Sequence, residues 1–336
     1  MKKFYFLLPL LLLLCLPAFA KVFRVGYSGT PLSGVDFGNI SQANDSAKTG
    51  DTIQIYGFIQ NGGRINKRLT LTGFGYEFSL HPGLQSNPGI LNTEGDYPTY
   101  IFDLFILSGA DSSIVEGCTL SSKMIIQANK VIIRRCRVRG DLIVNQTENI
   151  EGVKFVSCNF GMANIYLDHA SNLEIFNCIN GALRLSGGNA KIINCNFISV
   201  VGSTQALIKN CILGLISTGN IVNDNNVFLI SEPTPTIPGS NNKWAQVYDS
   251  VFVVPFQNQS IDDENYYQLR PNSPAKNFGI DLSGNPTDCG IFGGELAYRY
   301  KIGGQPAIPA FYKLSAPTNA ATTNPYNITV SIRSNN

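Results

Sequence analysis

Six cysteines recur at nearly even intervals: Cys118, Cys136, Cys158, Cys178, Cys195 and Cys211, with gaps of 18, 22, 20, 17 and 16 residues. Their neighbours recur with them. Three positions earlier stand Val115, Ile133, Phe155, Ile175, Ile192 and Ile208; two positions later stand Leu120, Val138, Phe160, Asn180, Phe197 and Leu213. Immediately before each cysteine stand Gly117, Arg135, Ser157, Asn177, Asn194 and Asn210. A period this short excludes helix-pair repeats and propeller blades. Apolar residues at −3, 0 and +2 show the period of two that strands require. The −1 residue breaks that alternation as a corner would, and asparagine and glycine tolerate the left-handed backbone that a corner needs.

Further short strands follow each cysteine, such as Met124–Gln127, Leu142–Val144, Ile165–Leu167 and Leu183–Leu185. Polar turns then close the repeat. Three short strands per repeat with asparagine-rich corners describe an all-β right-handed parallel β-helix, since parallel crossovers are right-handed by default. Coils stacked about 4.8 Å apart bring equivalent side chains into inward ladders. The cysteines are one such ladder. Stacked Cβ atoms at that spacing are farther apart than the roughly 3.8 Å of a disulfide, so these thiols are expected to stay free as small apolar filler. Cys289 lies outside the ladder with no evident partner.

The chain opens with Met1-Lys2-Lys3, an apolar run to Leu16, and Ala18-Phe19-Ala20. This is the pattern of a secretory signal peptide cleaved after Ala20. Cys15 raises a lipoprotein alternative, disfavoured by Leu14 before it. The expected organisation is a signal peptide over 1–20, a β-helix with its N-terminal cap over 21–300, and a C-terminal extension over 301–336. Without residues 1–20, 23 basic residues face 23 acidic ones. That balance leaves no electrostatic footprint for nucleic acid. No later segment is apolar enough to span a membrane. A secreted, periplasmic or cell-surface monomer is the expectation.

Within that frame, Phe37–Thr49 reads as a short amphipathic capping helix, which protects the exposed first coil. Residues 77–100 read as an excursion, and 51–292 as on the order of 12 coils at about 20 residues each. Val227 and Val251 are the expected heirs of cysteine in two later coils, and Tyr267–Phe292 the closing coil.

The stretches Ala47-Lys-Thr-Gly-Asp-Thr-Ile-Gln-Ile55 and Leu69-Thr-Leu-Thr-Gly-Phe-Gly-Tyr76 resemble the opening coils of bacterial secreted right-handed β-helix proteins of the pectin-lyase-like superfamily. Leu269-Arg-Pro-Asn-Ser-Pro-Ala275 and Asp288-Cys-Gly-Ile-Phe-Gly-Gly294 are similar to their closing coil. The resemblance implies the fold and an association with carbohydrate. It implies no single activity, because that superfamily includes lyases, hydrolases, esterases and members without a known reaction.

The residues offer little chemistry. Glycoside hydrolysis needs paired carboxylates on one outer face, and Asp262-Asp263, the one Asp-Asp pair, sits in a polar turn. Lyases need a basic residue and a cation near the uronate. Arg134, the outward −2 member of an arginine cluster, is the candidate base. Asp168-His169, with Tyr166 and Arg184 on neighbouring rungs, is the other catalytic candidate. No cysteine–histidine spacing suits a metal, and no cofactor is expected. The outer −4 positions Lys154, Glu174 and Lys191 form a prospective charge ladder. The −2 positions Val156, Phe176 and Ile193 form an outward apolar stripe, which calls for a cover. Segments 301–336 and 77–110 are the expected covers. The functional expectation is a non-catalytic scaffold, adhesin or glycan-binding module of the cell envelope, with a polysaccharide or cell-surface partner. The competing reading is a polysaccharide lyase or glycoside hydrolase acting on acidic polysaccharide.

Overall fold

A computed structural model describes residues 20–26, 34–77, 99–144, 149–161, 163–168, 170–202, 205–217, 221–234, 237–255, 264–306, 310–315 and 328–333. The signal-peptide segment, most of the 77–100 excursion, His169 and Asp262-Asp263 lie outside these residues. The chain forms a parallel β-helix. One wall is an eleven-stranded sheet that runs in sequence order from Val22–Val25 and Thr52–Ile55, through Ile132–Arg134, Lys154–Val156, Leu173–Phe176, Asn189–Ile193 and Gln205–Lys209, to Gly239–Ser240. The facing wall stacks Phe58–Ile59, Tyr100–Ile106, Thr119–Ile126, Asp141–Val144, Asn164–Asp168, Ala182–Ser186, Asn196–Gly202, Ile212–Ile216 and Val227–Phe228. Pairing between successive coils is parallel throughout both walls.

The corner works as the repeat predicts. Gly117, Arg135, Ser157, Asn177, Asn194 and Asn210 all have φ between +50° and +67°. The six cysteines behind them are fully buried and free. They are more than filler, however. A corner residue leaves its neighbour's N–H without a strand partner, and buried backbone donors require acceptors. Cys158 N donates to Cys178 Sγ (3.4 Å), Cys178 N to Cys195 Sγ (3.4 Å) and Cys195 N to Cys211 Sγ (3.3 Å). The thiols lean towards the carbonyls of the preceding coil, as Cys195 Sγ does to Ile175 O at 3.5 Å. Burial pushes the Cys136, Cys178 and Cys211 thiols well above their ordinary pKa, which keeps them neutral.

This hydrogen-bond pattern corrects the expected register beyond Cys211. Val227 is not the next rung. Asn225 takes the corner (φ +57°) and Asn226 the ladder position. Cys211 N donates to Asn226 Oδ1 (2.8 Å), and Asn226 Nδ2 donates to Ile208 O (2.9 Å). Asn242 repeats the arrangement, accepting from Asn226 N at 3.0 Å. The rung therefore selects a small group that both accepts and donates, which thiol and carboxamide share. Replacing Cys178 by valine keeps the volume and removes the acceptor. We predict a loss of about 1–3 kcal/mol in chemical denaturation; Cys178→Val as stable as the native chain would show that filling is all the thiol does.

Asn180, the polar exception at +2, has a physical cause. It turns outward at φ +59° and is followed by Gly181 at φ +82°. A Cβ on Gly181 would lie 2.9 Å from Phe160 Cβ. The space Asn180 vacates is filled by Phe160 and Phe197, whose rings stack across the missing rung at 6.1 Å. At the N-terminal end the expected cap is a helix, α1 (Ile40–Ser46), with Asn39 Oδ1 accepting from Gln42 N as its N-cap. Its Ile40 and Ala43 enter the coil core.

The coils stop near Ser240, short of the expected extent. Val251 lies in a short helix, α2 (Tyr248–Val251), packed against the outside of the coil. Residues 264–306 do not close the stack. They start at Glu264 beside Asn159, pass Asn180 at Tyr267 and reach Asn225 at Phe278; from there residues 278–306 run back along the corner edge as a strap, in the direction opposite to coil growth. Segments 310–315 and 329–333 form a separate antiparallel hairpin.

Candidate functional site

The strap is built on the corner ladder. Asn225 Nδ2 donates to Phe278 O (3.3 Å), Asn210 Nδ2 to Ile280 O (2.8 Å) and Asn194 Nδ2 to Asp288 O (3.0 Å). Asn177 Nδ2 donates to Ile291 O (2.7 Å) and Gly293 O (2.9 Å). Ser157 Oγ donates to Tyr298 O (2.9 Å), and Arg135 Nη1 to Gln305 O (3.1 Å). The corner side chains thus turn the coil and also hold the strap's carbonyls. Beneath it, the +1 residues Ile179, Ile212 and Val227 form a second apolar cluster with Val251, Phe252, Tyr267, Cys289 and Ile291. Cys289 is buried there, with Sγ 3.1 Å from Asn225 O, and burial pushes its thiol up to about 12.

The apolar stripe does have a cover. Tyr298 of the strap stacks on Phe176 (4.9 Å between centroids, 11° between planes), and Lys154 Nζ lies 4.6 Å from the Tyr298 ring. Val156 and Phe176 are buried. Segment 280–300 supplies this cover; most of the expected segments 77–110 and 301–336 lies outside the described residues. The charge ladder forms as expected, with Glu174 between Lys154 (3.1 Å) and Lys191 (3.9 Å).

The strap ends in a buried polar knot. Glu264, with no exposure, accepts from Tyr300 OH (2.6 Å), Gly303 N (2.7 Å), Asn159 Nδ2 (3.3 Å) and Tyr76 OH. Arg137 lies 4.8 Å above the Tyr76 ring and pairs with Glu77 at 3.3 Å. Burial pushes the Glu264 carboxyl above its ordinary value, against the hydroxyls and amide that favour its charge. From this knot an amide chain runs along the coil: Asn159 Oδ1 accepts from Asn180 Nδ2 (3.1 Å), and Asn180 Oδ1 accepts from Tyr267 OH.

That chain ends at a cavity of about 160 Å³ between the coil and the segment that carries α2. Asn196 and Ile212 line it from the coil, and Tyr248, Phe252 and Tyr267 from the other side. Tyr248 and Phe252 lie 4.7 Å apart at 48°, and Phe252 meets Tyr267 edge-on at 5.7 Å. Asn196 is 4% exposed, and neither atom of its amide has a hydrogen-bond partner among the described residues. No lining residue is charged. Desolvation pushes the Tyr248 hydroxyl up to about 12, so it stays a neutral donor and acceptor.

Of the candidates drawn from the sequence, Arg134 and Asp168 lie on different walls of the coil, and His169 lies outside the described residues. Arg134 points outward as expected, and its Nη2 is 2.6 Å from Glu116 Oε2, which Arg135 also approaches at 3.3 Å. Asp168 ends a strand of the opposite wall, in register with Ser186. Tyr166 and Arg184 are rung partners, with the guanidinium 5.5 Å from the ring. Since Arg134 is half-exposed in its ion pair, Arg134→Ala is expected to cost no more than about 1 kcal/mol in thermal unfolding. A larger loss would give Arg134 a role that this geometry does not contain.

The sequence reading missed the cavity because its wall comes from Tyr248, Phe252 and Tyr267, which carry no repeat register. Comparison with family models, curated proteins and solved structures returns no match. Among the described residues, no helix is long and apolar enough to cross a membrane.

Proposed function

We propose that this chain is a secreted β-helix of the pectin-lyase-like type that binds a glycan at the cell envelope without cleaving it. The carrying observation is the character of the cavity: three aromatic rings, Tyr248, Phe252 and Tyr267, with no charged group in the lining. Sugar rings stack their C–H faces on aromatics. Three carboxylates of the coil and strap are already engaged with partners, which supports binding over cleavage. Glu264 accepts from two tyrosines, Glu116 pairs with two arginines and Glu174 with two lysines. The resemblance of the opening coils to secreted members of that superfamily, and the signal-peptide pattern of the sequence over residues 1–20, support the envelope location.

The test is a panel of neutral, N-acetylated and acidic polysaccharides, scored for both binding and product release. Retention without new reducing ends or unsaturated products is the expected result. Turnover abolished by Arg134→Ala or His169→Ala would establish the enzymatic reading in its place.

A further inference from the structure

We infer that the cavity between the coil and α2 takes a six-membered aromatic ring, carried as a substituent on the glycan. The inference rests on the glycan-binding reading and names the group that the cavity itself accepts. The polar side-chain atoms of the lining are withdrawn from it. The Asn196 amide is buried, with its oxygen against the strap, where a Cβ on Gly290 would come within 2.4 Å. The Asn180 amide donates to Asn159 and accepts from the Tyr267 hydroxyl, which engages that hydroxyl as well. The Tyr248 hydroxyl is buried. The side chains therefore offer carbon: the rings of Tyr248, Phe252 and Tyr267 beside Ile198, Ile212 and Leu229.

Such a wall selects against the sugar ring itself. A hydroxyl that entered would lose its water without gaining a partner, and a charged group would lose more. A carbon ring gains by the same transfer. The volume of about 160 Å³ is close to the roughly 150 Å³ of an engineered apolar cavity, in another protein, that binds benzene. Phe252 meets Tyr248 at 4.7 Å and 48°, and Tyr267 edge-on at 5.7 Å. An entering ring thus meets faces and edges together, as aromatic pairs prefer. An alkyl chain would bury similar area, but it loses rotational freedom that a rigid ring does not have to lose. The approach is apolar too. Ile198, Leu215, Val247 and Val253 are all exposed, and each lines the cavity or is the chain neighbour of a residue that does. Single exposed apolar residues are ordinary; four around one opening form a patch. The sugar that carries the ring would remain at this mouth, in water.

The experiment titrates the full chain with phenyl, hexyl and methyl β-glucosides, read by saturation-transfer NMR and calorimetry. Phenyl glucoside is expected to bind with its ring protons more strongly saturated than its sugar protons. Methyl glucoside is expected to bind about tenfold or more weaker, and hexyl glucoside between the two. Leu229→Trp, which fills the cavity, is expected to abolish the preference for the phenyl group. Ile198→Asp places a carboxylate at an exposed position of the lining. It is expected to weaken phenyl glucoside about tenfold at an unchanged melting temperature, and so reads the site even where the tryptophan cannot be packed. Hexyl glucoside binding as tightly as phenyl glucoside would overturn the aromatic assignment. Phenyl and methyl glucosides binding equally would place the sugar in the cavity, overturning the inference and leaving the glycan reading standing. Absence of binding by all three would overturn the site, and the glycan reading would then stand or fall on polysaccharide retention.

Discussion

Glu264→Ala is expected to release the strap while the coil stays folded. The substitution leaves Asn159 Nδ2 and Gly303 N facing a hole with no acceptor, and leaves Tyr76 OH and Tyr300 OH with only each other. Removing one member of a buried, hydrogen-bonded charged cluster costs about 3–5 kcal/mol. The cost falls on the strap, because Tyr76 and Asn159 belong to the coil, Tyr300 and Gly303 to the strap, and Glu264 to the segment that leads into it. Two unfolding steps are the expected outcome in place of one. Tyr76 adds a steric lock: a Cβ on Gly304, at φ +64°, would lie 2.1 Å from its ring.

The same knot sets a pH dependence. Burial raises the folded-state pKa of Glu264 above its ordinary value of 4.5. The folded chain therefore holds this proton more tightly than the unfolded chain. The stabilisation is fully present below the ordinary value and is lost as pH rises through the raised one. Glu264→Gln, which cannot titrate, is expected to flatten that part of the stability–pH profile. An unchanged slope would assign it to other groups.

Asn177→Ala is the second large effect. Asn177 sits at φ +50°, where a non-glycine residue without a polar side chain costs about 1–2 kcal/mol. Its Nδ2 also makes two hydrogen bonds to strap carbonyls, worth about 0.5–1.5 kcal/mol each. Asn177→Ala loses both contributions, about 2–5 kcal/mol together. Asn177→Gly keeps the corner and loses the strap alone. The alanine variant is thus expected to be clearly the less stable of the two, with the glycine variant still below the native chain. A glycine variant as stable as the native chain would reduce the corner asparagines to turn formers.

This pair of substitutions bears on how much of the molecule was legible in the sequence. The coil was legible because six cysteines with matching −3 and +2 neighbours define an inward face, and the corner residues between them need a left-handed backbone. The rung beyond Cys211 was not, since an apolar pattern points to Val227 and carries no trace of the hydrogen bonds that place Asn226 there. Asn226 satisfies the rung through hydrogen bonding, a property cysteine shares with asparagine and valine lacks. The strap left one readable trace: asparagine recurs at corners where glycine would serve, which signals side chains with a second task. Residues 264–306 themselves carry no period, because a strap that pairs through its carbonyls constrains backbone and not side-chain type. For that reason neither the Tyr298 cover of Phe176 nor the cavity residues Tyr248, Phe252 and Tyr267 leave a signal in the sequence. Arg134 was correctly placed outward, but a partner one coil away, Glu116, can be assigned only once the register is known.

Hydrogen–deuterium exchange across residues 288–304 tests the central claim, that the corner side chains hold a strap along the coil. Gly290 N donates to Asn210 O (2.8 Å), Tyr300 N to Ile291 O (3.2 Å) and Gly303 N to Glu264 Oε2 (2.7 Å). These amides are expected to be protected nearly as long as those of strand Leu173–Phe176 in the native chain. In Glu264→Ala and Asn177→Gly they are expected to exchange far sooner, with the coil strands unchanged. Strap amides that exchange at unprotected rates in the native chain, or strap and coil losing protection together in both variants, would contradict it.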